Sequence, residues 1–116
     1  MRTKLPPRRR AVTEKVMHAM ANGEIQEFLI TFGFDGEGTI REVFCANPMT
    51  GSDMYAMLSD GCIMISLHLQ TGAEIEKLVG SFSENRNAGE TKGLSSSVFG
   101  SIARAILSMQ KELNDD

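Results

Sequence analysis

The chain has 116 residues, of which 41% are hydrophobic, and a formal net charge of −3. This length suits one domain that can bury roughly two-thirds of its unfolded surface without a metal or a disulfide. Polar residues interrupt every apolar stretch, and no apolar run follows the N-terminal arginines, which argues against a membrane span and a secretory signal. We therefore expect a cytoplasmic domain in which Cys45 and Cys62 are reduced, buried thiols.

The first predicted element is a basic arm, residues 1–12. Through residue 15 the chain has six basic residues and one acid, a net charge of +5, whereas the rest has six basic and fourteen acidic residues, a net charge of −8. Leu5, Pro6 and Pro7 favour an extended arm. The charge distribution has three interpretations. The arm binds phosphate of a nucleotide or nucleic acid, it lies on an acidic surface of its own chain or of a neighbouring subunit, or it is a solvated tail. Because it lacks interleaved aromatic residues, nucleic-acid binding ranks behind the other two interpretations.

Residues 24–34 are predicted to form a strand, because apolar residues recur there with a period of two. Its core face would hold Phe28, Ile30, Phe32 and Phe34. The turn sequence Asp35-Gly36-Glu37-Gly38 then predicts a hairpin.

Residues 39–46 are predicted to return as the next strand, with Ile40, Phe44 and Ala46 on one face. Residues 13–21 have a composition that favours helix, but Asn22-Gly23 directly after them is the dipeptide of a type I′ hairpin. We therefore predict an earlier strand there, which gives a three-stranded antiparallel β-meander.

Helices are predicted in the second half. Residues 53–71 are apolar nearly all round, which is typical of a helix buried on several sides, and Gly72 ends it. A short helix over residues 73–82, a polar loop and a last helix to about residue 114 follow. The predicted fold is α+β, a three-stranded antiparallel β-meander packed on a long buried helix and followed by two further helices, in one domain over residues 13–114.

Association is predicted from the same long helix. A helix that is apolar on every side has more apolar surface than one small sheet and two helices can cover. We therefore expect a homo-oligomer with Met54, Met57 or the last helix near the interface.

Several motifs in this order resemble the TSCPD family. They are Gly51-Ser52-Asp53, the helix end ISLHLQTG, the segment AEIEKLVGSF and the last helix SVFGSIARAIL, and the resemblance covers roughly residues 5–107. The family is the small domain at the C-terminus of cobalamin-dependent ribonucleotide reductases, which also occurs in short stand-alone proteins. The Cys-containing motif that gives the family its name is absent here, so no metal or thiol role carries over.

The resemblance implies a non-catalytic accessory or regulatory module that binds a reductase chain or a nucleotide. With 116 residues the chain is too short for a self-contained ribonucleotide reductase. A second hypothesis is a stand-alone, oligomeric nucleotide-binding protein that sequesters a small phosphorylated ligand, as phage-encoded sponge proteins do. It depends on the basic arm and on a possible anion site at the start of the long helix.

That anion site would combine free backbone N–H groups at a helix N-terminus with nearby cations. Its candidate residues are Thr50, Gly51, Ser52, Arg8, Arg9, Arg10, Arg86 and Arg104. Self-capping of the helix with help from Asp53 is the favoured alternative. No nucleophile–base pair and no His/Cys cluster is evident, so no catalytic residue, metal or cofactor is predicted. We expect His18 to be exposed.

Overall fold

The computed structural model describes residues 10–20, 22–46, 53–82, 84 and 95–114, apart from the side chain of Met54. These residues form a three-stranded antiparallel sheet of order β1-β2-β3, followed by three helices. The elements are β1 (Ala11–Ala19), β2 (Ile25–Phe34), β3 (Ile40–Cys45), α1 (Asp53–Gln70), α2 (Ile75–Ser81) and α3 (Val98–Asn114). The predicted α+β fold is confirmed, while the boundary at residue 12 stays a prediction.

The β1–β2 hairpin has a different turn from the predicted type I′ turn. The N–H of Met20 donates to the carbonyl of Glu24 over 2.7 Å, which closes a three-residue loop. A type I′ turn needs positive φ at both central residues, but among the described residues only glycines have it, and in this loop only Gly23, at 91°. Gly38 holds the same position in the β2–β3 loop, with a φ of 84°.

The aromatic face of β2 is the centre of the core, as predicted. Phe28, Ile30, Phe32 and Phe34 are all at most 5% exposed. Because side chains of a strand alternate between its two faces, the residues between them lie on the outer face of the sheet.

A β-bulge in β3 makes the predicted face assignment of that strand wrong. Gly33 pairs with Glu42, but Phe34 pairs with Ile40, so Arg41 is an extra residue. An extra residue reverses the alternation beyond it. Ile40 is therefore buried as expected, but Val43 replaces Phe44 in the core, and Phe44 is 46% exposed on the outer face.

Helix α1 packs mainly on β3, and it is buried on one side only. Leu58, Cys62, Ile65 and Leu69 are its buried apolar residues. Large apolar side chains on its other side are exposed, namely Met57, Ile63, Met64 and Leu67. The prediction of burial on several sides was wrong. None of the described helices has the length and apolar character that crossing a membrane requires.

Helices α2 and α3 complete the core. Gly72, at a φ of 89°, ends α1 by donating its N–H to the carbonyl of Leu69 over 3.1 Å. The short α2 contributes Ile75, and the amphipathic α3 contributes Ile102, Ala103, Ile106 and Met109. Since α3 packs on the β1 side and α1 on the β3 side, the two helices divide the core face of the sheet.

Candidate functional site

Six of the eight predicted phosphate-site residues lie outside the described residues. They are Thr50, Gly51, Ser52, Arg8, Arg9 and Arg86. The phosphate site therefore stays a prediction.

The two described arginines of that set lie apart. Arg10 precedes β1, its carbonyl accepts the N–H of Phe34 over 3.0 Å, and its guanidinium lies 5.5 Å from the centre of the Phe34 ring. Arg104 is on α3, where it forms an exposed 3.4 Å ion pair with Glu84. Arg104 lies about one helical turn after Ser101, which contacts His18 near the C-terminal end of β1. Arg10 lies just before the N-terminal end of β1, so the structure does not bring the two arginines to one site.

The free edge of β3 is covered by polar side chains of the helices. The Ser66 hydroxyl accepts the Val43 N–H over 2.9 Å and lies 3.0 Å from the Val43 carbonyl, to which it can donate. One turn later, the Gln70 amide donates to the Arg41 carbonyl over 3.2 Å. From α3, Gln110 accepts the N–H of Ile40 over 2.7 Å. These side chains take the place of a fourth strand, and we call this edge the covered edge.

Residues Ser66 and Gln70 belong to the ISLHLQTG segment that carried the resemblance. They are four residues apart and so share one helix face, and each is less than 9% exposed. Buried polar groups need hydrogen-bond partners, and the backbone of an edge strand offers them. The motif thus has a structural role, which sequence reasoning missed because the partner strand lies more than twenty residues away.

The bulged residue Arg41 joins the covered edge to the β2–β3 turn. Its Nη1 donates to the Leu69 carbonyl at the end of α1 over 2.7 Å, a favourable place for a cation. Its Nε pairs with Asp35 at 3.2 Å. Burial raises the pKa of Asp35, but hydrogen bonds from the N–H groups of Thr39 and Glu37 and from Arg41 outweigh it, and the pKa is lowered overall.

The structure brings together a histidine and a serine that the sequence did not connect. His18 is 4% exposed, not exposed as expected, and its Nδ1 lies 2.8 Å from the Ser101 hydroxyl on α3. Desolvation lowers the pKa of His18, which favours the neutral imidazole. Opposite it, Gln26 has a buried Oε1 without a hydrogen-bond partner among the described residues. The two residues are 83 positions apart in the chain, so no spacing rule could have found the pair. The hydrogen bond between His18 and Ser101 links α3 to β1.

The described residues contain no cluster of His, Cys, Asp and Glu side chains that could hold a metal ion. Neither Cys45 nor Cys62 forms a disulfide within the described part of the chain, and Cys62 is buried while Cys45 is partly buried. Burial, with a smaller contribution from Cys45, raises the pKa of Cys62 to about 11, so this thiol is protonated and a poor nucleophile.

The free edge of β1, in contrast, has no strand beside it among the described residues. Arg10 and Met20, just before and just after β1, exchange backbone hydrogen bonds with the β2 side. In an antiparallel pair such residues alternate with residues whose N–H and C=O groups point away. The outward-pointing residues are therefore Ala11, Thr13, Lys15, Met17 and Ala19, and we call them the open edge.

Apolar side chains adjoin this open edge on the outer face of the sheet. Met17 is 51% exposed and Ile25, on the neighbouring strand, is 56% exposed. Phe44 adds a ring on the far strand of the same face. A peptide strand that adds to a sheet edge binds through its backbone hydrogen bonds and through contacts with the side chains beside that edge. The open edge and these apolar side chains offer both.

Comparison with known proteins gives one family. The model of the TSCPD domain matches residues 1–110, which include every described strand and all but the end of α3. No curated protein and no solved structure matches the chain.

Proposed function

The chain belongs to the TSCPD domain family, and on that premise we propose that it is a non-catalytic accessory module that binds a chain of ribonucleotide reductase through the open edge of β1. The family relates the chain to ribonucleotide reductases. Binding of a reductase chain is the proposed step beyond that relation. It requires a surface suited to a protein partner, and the open edge is the observation that carries the proposal.

The open edge can accept an extended segment of the partner as a further strand. Backbone hydrogen bonds to residues such as Thr13 and Met17 would supply affinity, and the exposed side chains of Met17 and Ile25 would supply contacts on the outer face. A strand as long as β1, with nine residues, offers a pairing length above the usual five or six. The covered edge at β3 leaves this one side for extension of the described sheet.

Binding of a small phosphorylated ligand, with the chain acting as an oligomeric sponge, is the alternative. It depends mostly on residues outside the described part of the chain. Of its described arginines, Arg104 is paired with Glu84, and Arg10 lies over Phe34. The protein-binding function therefore has the better support.

The test uses two substitutions of one residue on the open edge. Lys15→Pro removes an outward-pointing N–H and leaves the β2 ladder intact, because the inward-pointing neighbours are unchanged. Lys15→Ala removes the same charge but keeps that N–H, so it is the matched control. Melting temperatures of both variants establish that each is folded.

Affinity is measured by calorimetry against the catalytic ribonucleotide reductase chain of the same organism. We expect the wild type and Lys15→Ala to bind and Lys15→Pro to bind at least tenfold more weakly. Absence of binding by the wild type, or equal binding by the Lys15→Pro variant, would overturn the proposal. The phosphorylated-ligand alternative would be supported if the protein does not bind the reductase chain but gives a heat of binding when titrated with nucleoside triphosphates, deoxynucleotides or cyclic nucleotides.

A further inference from the structure

The exposed side of α1 is mostly apolar. Among the α1 residues whose side chains the structure describes, eight are exposed and fall on one side of the helix, which we call the outer face of α1: Asp53, Ala56, Met57, Asp60, Ile63, Met64, Leu67 and His68. Met57 and Met64 are each about two-thirds exposed, at 65% and 67%. Single exposed apolar residues are ordinary on a protein surface, but a contiguous stripe of them marks a binding surface.

The two ionisable residues in the middle of this face are placed symmetrically about Met64. Asp60 lies four residues before it and His68 four residues after it, and residues four apart share a helix side. If two copies pair with antiparallel helices about a two-fold axis at Met64, each Asp60 lies opposite the His68 of the other copy. A histidine N–H donates to a carboxylate whichever protonation state the ring has. Parallel pairing would instead place Asp60 opposite Asp60.

A groove beside the outer face suits the same arrangement. It has a volume of about 250 Å³ and lies between the three helices, lined by Gly61, Leu78, Phe82 and Phe99 among others. Because Met64 and His68 also line it, the groove offers space to an apolar side chain of the second copy beside the two-fold axis.

We propose that the outer face of α1 binds the same face of a second copy of this chain, with the two helices antiparallel about a two-fold axis at Met64. This interface is separate from the open edge of β1, so the proposal goes beyond the proposed function and does not depend on it. The apolar residues supply the buried surface. The Asp60–His68 contacts, made twice, select the antiparallel orientation.

The first test is charge reversal measured by sedimentation equilibrium. The wild type is expected to be a dimer of the 12.7 kDa chain at micromolar concentration. Asp60→Lys should raise the dimer dissociation constant at least tenfold, because each lysine then faces a histidine. The double variant Asp60→Lys/His68→Glu should restore it to within about threefold of the wild type. Glu112→Lys, an exposed reversal on α3, is the matched control and should have no effect.

The second test is cross-linking by an introduced cysteine, which does not depend on the charges. Met64→Cys lies at the axis and should form a disulfide-linked dimer under mild oxidation. Met57→Cys should not, because two copies of residue 57 are then fourteen residues apart along the helices, about 21 Å. Cross-linking at 57 would indicate parallel helices. A monomeric wild type, a double variant that stays as weak as Asp60→Lys, or no cross-link at 64 would each overturn the proposal.

Discussion

Replacing Ser66 by alanine tests whether the covered edge stabilises the fold. The wild-type hydroxyl accepts the Val43 N–H over 2.9 Å and lies within 3.0 Å of two carbonyl oxygens, those of Val43 and Cys62. A hydroxyl has one proton, so it satisfies the N–H and one of the two carbonyls at a time. In Ser66→Ala both of these hydrogen bonds are lost.

The cost follows from the burial of the groups left behind. Ser66 is 7% exposed and Val43 is 2% exposed, so water does not readily replace the lost partner. A buried donor without a partner costs about 1–3 kcal/mol. The Cys62 carbonyl contributes less, because carbonyls of a helix are already bonded along it. For a domain of this size the loss corresponds to a fall in Tm of about 4–12 °C.

Two measurements check this expectation. Denaturant unfolding should give a lower free energy of unfolding with an unchanged m-value, and amide hydrogen exchange should accelerate at Val43 more than at the centre of β2. Ser108→Ala, an exposed serine on α3, is the control and should change stability by no more than about 0.5 kcal/mol. A Ser66→Ala variant as stable as that control, with unchanged exchange at Val43, would refute the role of the covered edge.

Three further predictions concern burial, protonation and packing. Ile65→Asp should unfold the domain because it buries an unpaired charge, whereas the neighbouring Met64→Asp changes an exposed side chain and should leave each chain folded. Circular dichroism melts distinguish the two variants, and loss of the melting transition in both would contradict the one-sided burial of α1. Because the pKa of His18 is lowered from 6.5 on folding, the unfolded chain binds more protons, and the free energy of unfolding should fall as pH drops below about 6.5. This part of the pH dependence should be absent in His18→Gln, and its persistence there would assign it to another group. Gly61→Ala should lower the free energy of unfolding by about 1–3 kcal/mol, because the added methyl group overlaps the Phe99 ring of α3. Gly80→Ala adds a methyl group in open space, so it should leave stability unchanged or raise it slightly. Equal melting temperatures of the two variants would show that the α1–α3 contact is loose.

The strands illustrate what a periodic pattern predicts well. The alternation from Phe28 to Phe34 predicted a core face that the structure contains in full. It failed in β3, where the extra residue Arg41 reverses the faces and exposes Phe44. A bulge is fixed by the partner strand and by what the extra side chain binds, here Asp35 and the end of α1. None of that is visible in the strand's own sequence.

The helix α1 shows the corresponding limit for composition. Its apolar character predicts burial on several sides, but only the side with Leu58, Cys62 and Ile65 is buried within one chain. Composition reports that a surface avoids water, but not which molecule covers it. Similarly, Ser66 and Gln70 were recognised as part of a motif, yet their role required the position of the β3 backbone.

The covered edge of β3 also limits how far copies of this chain can add to one another. A sheet with two free edges can accept strands at both, which permits open-ended growth into fibres. Here Ser66, Gln70 and Gln110 occupy the hydrogen-bonding groups of one edge within the described part of the chain. Strand addition at β1 therefore stops after a single event, so strand pairing alone cannot extend the sheet from copy to copy.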